Sequence, residues 1–308
     1  MKDYVERRNF LKSVVVSPAL IASGILSGTP PSQASYNKRS ETGSKLKTSL
    51  NAYSFNEPLK NGSMKLEDLL DFCAANNFDA VDLTGYYFPG YPNVPPDEYI
   101  FNLKRKAFLL GLDISGTGVR NDFTNPDAAK RKEDIILIKN WIECASKLGA
   151  PVIRIFSGTQ NPPGYSWTQI KTWMVKDINE CVEHGKTHGV IVAVQNHNDF
   201  IKTADEAQNI IESVNSAWFG LILDIGSYRR GDPFKQIEQN AKYAVNWQIK
   251  ENLYVDGVEQ KTDLKKVISI VKASGYRGYL PIETLGEGDP KIKVPRFLAE
   301  VRKAIERG

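Results

Sequence analysis

The sequence predicts a single (β/α)8 TIM barrel, an α/β fold, from three observations. Short β-rich runs alternate with longer amphipathic runs from about residue 48 onward. Four of the later β-rich runs stop on polar residues about one strand and one helix apart, at Gln195, Asp224, Gln248 and Glu283. No GxGxxG motif follows the first predicted strand, which makes an open doubly wound sheet the weaker alternative.

The predicted strands are short and β-rich, and they lie near residues 48–54, 80–84, 113–118, 152–157, 190–195, 219–224, 244–249 and 278–283. The segments between them have helical periodicity. In KLEDLLDFCAANN, for example, Leu66, Leu70 and Cys73 recur at the spacing of one buried helix face. Gly149 and Gly189 follow such segments, where a left-handed residue ends a helix. Eight strands therefore alternate with eight predicted helices.

Residues 1–34 are interpreted as a targeting segment and not as part of the fold. Arg7 and Arg8 lie in the sequence ERRNFLK, which is typical of twin-arginine signals. The apolar run that follows, Val14 to Leu26, is short for a membrane span. We therefore expect export to the periplasm by the twin-arginine route and no stable membrane anchor after cleavage. The alternative is a cytoplasmic chain with a basic arm.

The rest of the chain divides into two parts. Residues 28–47 are rich in Ser, Pro, Gly and Lys, and we predict a flexible linker over residues 35–47. Residues 48–308 are long enough for one barrel domain, and we predict that they form the catalytic (β/α)8 barrel.

Composition excludes several classes of function. The chain has 25% charged and 41% hydrophobic residues, which is ordinary for a soluble globular protein. A net charge of +4 that includes the basic N-terminus is too small to indicate a nucleic-acid partner. Three cysteines without a CxxC motif form neither a disulfide framework nor a zinc knuckle, so we expect buried thiols at Cys73, Cys144 and Cys181.

The four polar strand ends predict a site for one divalent cation. Strand ends of a parallel barrel meet at one rim, where barrel enzymes keep their active sites. Asp224 and Glu283 each close a strongly apolar run, where a carboxylate is costly unless it is paired or bound to metal. Gln195 and Gln248 are weaker evidence, because a neutral amide can instead satisfy loop backbone.

Histidines supply one further candidate. His197 lies just beyond a predicted strand end and is the only histidine placed to titrate in the site. His184 and His188 lie in the preceding helical segment without an acidic catalytic motif, so surface or packing roles are expected for them.

Most of the chain from about Ser49 resembles the xylose isomerase-like TIM barrels, the sugar phosphate isomerase/epimerase group. The segments that carry the resemblance are VDLTGYYFPGY, IRIFSG, VAVQNHND, WFGLILDIGS, NWQIKEN and GYRGYLPIET. Members of that family bind a divalent cation through Glu, Asp, His and Glu at four strand ends. The matching positions here are Gln195, Asp224, Gln248 and Glu283, and two of them depart from the pattern. An all-oxygen set implies Mg, Mn or Ca rather than Zn, held weakly.

The resemblance also implies the reaction. Family epimerases use one glutamate on each face of the substrate, but Gln195 cannot exchange a proton, which leaves Glu283 as the base. One carboxylate suits same-face isomerisation of a sugar, and equally β-elimination from a keto-glycoside. The cation and Lys250 would stabilise the oxyanion. Lys250 and Glu251 match a family Lys–acid pair, although Lys250 could instead be half of a structural ion pair.

Five further residues are predicted to contact substrate: Asp82, Tyr86, Arg154, Asn196 and Glu251. Arg154 could hold a phosphate, but an exported protein meets unphosphorylated sugars, so a free sugar or keto-sugar is expected. Endonuclease IV shares the barrel, yet its three-zinc site needs more than three histidines. A non-catalytic sugar-binding barrel stays open as an alternative.

Overall fold

A computed structural model describes residues 46–307, and within them eight parallel strands close into a barrel. The barrel strands are β1 (Lys47–Asn51), β2 (Ala80–Thr84), β3 (Asp113–Gly118), β4 (Val152–Phe156), β5 (Ile191–Gln195), β6 (Phe219–Asp224), β7 (Ala244–Lys250) and β10 (Tyr279–Glu283). Strands β1 to β7 follow one another around the barrel, and β10 closes it between β7 and β1. The predicted fold class is therefore confirmed.

Nine α-helices occur among residues 46–307: α1 (Asn56–Lys60), α2 (Leu66–Ala75), α3 (Asp97–Leu109), α4 (Ala128–Leu148), α5 (Trp167–His188), α6 (Ala204–Val214), α7 (Pro233–Asn240), α8 (Leu264–Ala273) and α9 (Pro290–Arg307). From α2 to α9, each helix packs beside the next. Gly149 and Gly189 end α4 and α5 in the left-handed conformation, as predicted. The ninth helix is α1, a short turn directly after the first strand.

Two strand boundaries differ from the prediction in ways that matter for the site. Strand β1 ends at Asn51, because the Asn51 side chain accepts a hydrogen bond from Tyr53 N (2.9 Å) and starts a 3-10 turn. Strand β7 continues to Lys250, one residue beyond its predicted end.

An antiparallel hairpin that was not predicted follows β7. It consists of β8 (Asn252–Val255) and β9 (Val258–Lys261). Asp256 and Gly257 connect the strands with φ values of +50° and +80°. An Asp-Gly pair of positive-φ residues is the signature of a type I′ turn, so this signal was available in the sequence.

The core fills the barrel interior and the space between strands and helices. Cys73, Cys144 and Cys181 are buried free thiols within it, as predicted. No helix between residues 46 and 307 combines the length and apolarity needed to cross a membrane. The predicted signal segment 1–34 and nearly all of the predicted linker lie outside the described residues, so both stay predictions.

Candidate active site

A cavity of about 760 Å³ opens at the carboxyl ends of the barrel strands. Its floor carries Gln195 from β5, Gln248 and Lys250 from β7, and Glu283 from the neighbouring strand β10. Asp224 is fully buried and does not line the cavity. The structure thus brings the four predicted strand-end residues together, but only three of them face the space where a ligand would bind.

Lys250 joins the two carboxylates of this group. Its Nζ lies 2.9 Å from Asp224 Oδ2 and 3.0 Å from Glu283 Oε1. The side chains are well shielded from solvent, with exposed fractions of 13% for Lys250, 0% for Asp224 and 6% for Glu283. Lys250 therefore takes part in an ion pair with each of the two carboxylates, at the centre of the site.

Strand register explains this placement. Strand β7 lies between β6 and β10, with Gln248 opposite Asp224 and Lys250 opposite Glu283. Side chains two residues apart on a strand point to the same face. Since β7 extends to Lys250, Gln248 and Lys250 both point into the barrel mouth.

The Gln195 amide links the remaining groups. Its Nε2 donates to Asp224 Oδ2 (2.8 Å) and to Gln248 Oε1 (2.7 Å), and its Oε1 accepts from Arg154 Nη1 (3.1 Å). This orientation is the one that avoids facing an amide oxygen toward the Asp224 carboxylate. Gln195 and Gln248 therefore do more than cap loop backbone.

Asp224 is fully buried, and its carboxylate contacts only groups of the protein. Gly226 N donates to its Oδ1 (2.9 Å), while Gln195 and Lys250 both contact its Oδ2. Burial opposes ionisation of Asp224, but the Lys250 ammonium outweighs it and lowers the pKa of the carboxyl. Burial likewise opposes the charge on Lys250, and the Asp224 and Glu283 carboxylates raise its pKa above the usual range. Both groups are ionised at neutral pH.

Glu283 is the carboxylate that faces the cavity. Among residues 46–307, Lys250 is the only polar partner of its carboxylate, and the contact uses Oε1. The other oxygen is free to accept a proton from a bound molecule. Glu283 therefore has the geometry of a general base.

The four predicted ligands do not fit a divalent cation in this arrangement. A cation needs oxygen lone pairs pointing at it, whereas Lys250 Nζ lies between the two carboxylates and Gln195 directs its N–H groups at their neighbours. The structure differs here from the sequence-based expectation, because an ammonium group occupies the centre of the donor set.

The wall beyond Gln195 is built from Arg154 and aromatic rings. The Arg154 guanidinium lies 4.4 Å from the Phe156 ring centre and 5.8 Å from that of Tyr86. Tyr86 also packs edge-on against Tyr53, and both tyrosines line the cavity. Arg154 is directed at Gln195 and at the backbone of Gly118, where an added Cβ would meet its Nε at 2.6 Å. Arg154 consequently positions Gln195 through Nη1, while its Nη2 has no hydrogen-bond partner among the described residues and the side chain lines the cavity.

Asp82 and Asn196 lie off the cavity surface. Asp82 Oδ2 lies inside the barrel near Gly116, and burial raises the pKa of Asp82 to about 6 against the opposing charge of Arg154. Both ends of the Asn196 amide bond to the Asp224 backbone at 2.9 Å. We therefore reassign Asn196 from substrate contact to holding β5 and β6 together.

The remaining predicted residues lie at the cavity rim. His197 is exposed, lines the cavity and has Nδ1 2.7 Å from Asp199 Oδ2. Glu251 also lines the rim, with Oε2 3.3 Å from Lys293 Nζ. Neither has a hydrogen bond to Lys250 or Glu283 among the described residues.

Several cavity residues were not predicted. Asn51 ends β1, and Tyr53 lies in the turn after it. Arg120 comes from the loop after β3, and Tyr254 and Glu259 come from the hairpin. The Asp-Gly turn signal could have predicted the hairpin, but single loop residues such as Arg120 carry no pattern that distinguishes them.

A second group of metal-capable side chains lies away from the cavity, between α4 and α5. Ligand atoms of Glu143, His184 and His188 all lie within 4.8 Å of one another. His184 Nε2 is 3.2 Å from Glu143 Oε1. These three side chains could hold a metal ion on the outer surface, in addition to the surface role expected for both histidines.

Comparison with known proteins places this geometry in a family. The profile of the xylose isomerase-like TIM barrels matches residues 70–305, which is well over half of the chain. No curated protein matches the chain.

Similar folds occur among solved structures. D-psicose 3-epimerase from Clostridium cellulolyticum, solved with D-tagatose, has a TM-score of 0.71 at 15% identity, covering 84% of this chain and 99% of its own. 3-Keto-D-glucoside 4-epimerase from E. coli has a TM-score of 0.67 at 15% identity, with coverage of 84% and 99%. The IOLI protein, solved with a bound zinc atom, has a TM-score of 0.68 at 17% identity, with coverage of 84% and 96%. At these identities the likeness to solved structures establishes the fold. The profile match over residues 70–305 shows that the chain belongs to the xylose isomerase-like TIM barrel family.

Proposed function

We propose that this protein abstracts the proton next to the carbonyl of a free sugar or keto-sugar and returns it to the same face, as in ketose–aldose isomerisation. The observation that supports the proposal is the pairing at the cavity floor. One carboxylate, Glu283, faces the cavity with a free oxygen, and one ammonium group, Lys250, lies 3.0 Å from its other oxygen.

The two groups have complementary roles. Glu283 takes the proton from the carbon, and the C–H electron pair moves to the carbonyl oxygen. Lys250 uses two hydrogens on Asp224 and Glu283, and its third hydrogen has no acceptor within residues 46–307. That hydrogen can bond to the oxygen on which negative charge develops. No step of this mechanism is routed through a metal ion, because the donor set does not fit one.

Gln195 determines the stereochemistry. Inversion of a carbon needs an acid on the opposite face, and an amide cannot exchange a proton. Glu283 therefore returns the proton to the neighbouring carbon on the face from which it came, while a hydroxyl proton moves between the two substrate oxygens. The products are an aldose from a ketose, or the reverse.

The cavity suits an uncharged sugar. Tyr53 and Tyr86 offer ring surface to the apolar face of a pyranose. The Gln248 Nε2 hydrogens have no acceptor among the described residues and face the cavity, where a hydroxyl can accept them. Two of the similar structures carry names that describe inversion at a carbon next to a ketone, which agrees with proton abstraction as the shared chemistry.

We expect deuterium incorporation at one carbon next to the carbonyl when the protein is incubated with its substrate in D2O. A panel of ketoses, aldoses and keto-glycosides, followed by proton NMR, measures exchange and product together. Isomerisation gives a product that carries one deuterium and has no inverted carbon. Loss of the aglycone would instead identify β-elimination by the same base. Binding of a sugar without any exchange would contradict the proposal and favour a non-catalytic sugar-binding barrel.

We also propose that the protein is exported to the periplasm, on the basis of the ERRNFLK sequence. Changing Arg7 and Arg8 to Lys should retain the protein in the cytoplasm of a bacterial host, as measured by cell fractionation. A cytoplasmic location for the unchanged protein would contradict this proposal.

A further inference from the structure

We propose that the Lys250 ammonium group takes the position of the divalent cation in this barrel, so that the site works without a metal. The test of this proposal measures ion binding and does not depend on the reaction proposed above.

The first support is the position of the ammonium group. Lys250 Nζ bridges Asp224 Oδ2 at 2.9 Å and Glu283 Oε1 at 3.0 Å, so one positive charge lies between the two carboxylates. These side chains are almost completely removed from solvent, where opposite charges attract strongly and an uncompensated charge is costly. A metal ion binding to both carboxylates would have to displace this ammonium group.

The second support is the direction of the amides. Gln195 Nε2 gives its two hydrogens to Asp224 Oδ2 and Gln248 Oε1, and its Oε1 is occupied by Arg154. A glutamate at position 195 would have no hydrogen to give and would add a negative charge beside Asp224. That arrangement needs a doubly charged ion, whereas the amide needs only the single charge of lysine.

The third support is the space that the backbone leaves for the lysine side chain. A Cβ at Gly226 would lie 2.8 Å from Lys250 Cδ and 3.2 Å from Asn252 O. Glycine at this position therefore leaves room for the aliphatic part of Lys250 to pass. The same residue donates its backbone N–H to Asp224 Oδ1 at 2.9 Å and thereby fixes the carboxylate that receives the ammonium group.

The test compares Mn²⁺ binding, measured by electron paramagnetic resonance, in three forms of the full chain. All three carry His184→Ala and His188→Ala, so that the surface group of Glu143, His184 and His188 cannot contribute. The first form has no further change. The second adds Gln195→Glu and Gln248→His, which supply a carboxylate and an imidazole. The third also adds Lys250→Met, which removes the ammonium group.

We expect the first two forms to bind Mn²⁺ more weakly than about 1 mM, at the weak end of protein cation sites. The third form should bind about one equivalent, at least ~100-fold more tightly, because the added ligands then face an open position. Tight stoichiometric binding by the first form would overturn the proposal. Equal binding by the second and third forms would also overturn it, since Lys250 would then not occupy the ion's position.

Two controls keep the result interpretable. Lys293→Met in the second form removes another lysine near the cavity, one that contacts Glu251 at 3.3 Å, and should leave Mn²⁺ binding unchanged. Circular dichroism establishes that each form is folded. If the third form does not fold, the first two forms still test the proposal, because tight Mn²⁺ binding by either of them would contradict a site that is filled by lysine.

Discussion

Glu283→Gln lowers the rate of substrate C–H exchange by at least about 10²-fold, the lower end of what a general base contributes. The amide is nearly isosteric with the carboxylate, but it cannot accept the proton. Lys250 keeps its contact with Asp224 in this variant, so the site retains its central ion pair. We expect sugar binding to persist, with the loss concentrated in kcat. Two quantities are measured: the rate of deuterium exchange, by NMR, and the dissociation constant of the sugar.

Glu259→Gln is the matched control. Glu259 also lines the cavity, but it is exposed and its carboxylate bonds to Asn252 Nδ2 at 2.9 Å, away from the ion pair. Its replacement should change the exchange rate by less than about tenfold. Near-normal exchange in Glu283→Gln would rule out this base, and His197 or Glu251 at the rim would become the next candidate.

The sequence predicted the barrel because its signals are local and repeated. The pattern of a polar residue at the end of an apolar strand identified Gln195, Asp224 and Glu283 as candidate site residues. The carboxyl ends of the barrel strands do meet at one rim. Because an unpaired buried carboxylate is costly, Asp224 was expected to have a charged partner or a metal ion, and in the structure it is paired with Lys250. Such predictions need only strand periodicity and the cost of burying charge.

The family resemblance pointed to Lys250, but its position between the two carboxylates could not be predicted, because it depends on one strand boundary. With β7 predicted to end at residue 249, Lys250 belonged to a loop and its direction was undefined. The observed strand reaches Lys250, which puts it on the same face as Gln248 and opposite Glu283. Strand ends are the least certain part of sequence-based assignment. The bonds of Asn196 to the Asp224 backbone depend on tertiary packing in the same way.

Lys250→Met should impair both stability and reaction. Two buried carboxylates would lose their shared counter-charge, and removing one partner of a buried ion pair costs about 3–5 kcal/mol in the free energy of unfolding. The developing oxyanion would lose its donor, which typically costs about 10²–10³-fold in kcat. Denaturant unfolding measures the first effect and NMR exchange measures the second. Lys261→Met is the control, because its ion pair with Glu300 is exposed and should contribute at most about 1 kcal/mol.

The pH dependence of this stability difference separates an ion pair from simple packing. The lowered pKa of Asp224 means that its attraction to Lys250 stabilises the fold above the ordinary aspartate range and is lost as pH falls through the lowered value. The raised pKa of Lys250 means that its contribution is complete below the ordinary lysine range and is lost only as pH rises through the raised value. The gap between wild type and Lys250→Met should therefore be full at pH 7 and should narrow as pH falls toward and below the ordinary aspartate range, because Asp224 without its counter-charge takes up a proton more readily than in the wild type. A gap of constant size across this range would mean that Lys250 stabilises the barrel through its aliphatic chain, and its charge would then have no part in holding Asp224 and Glu283 together.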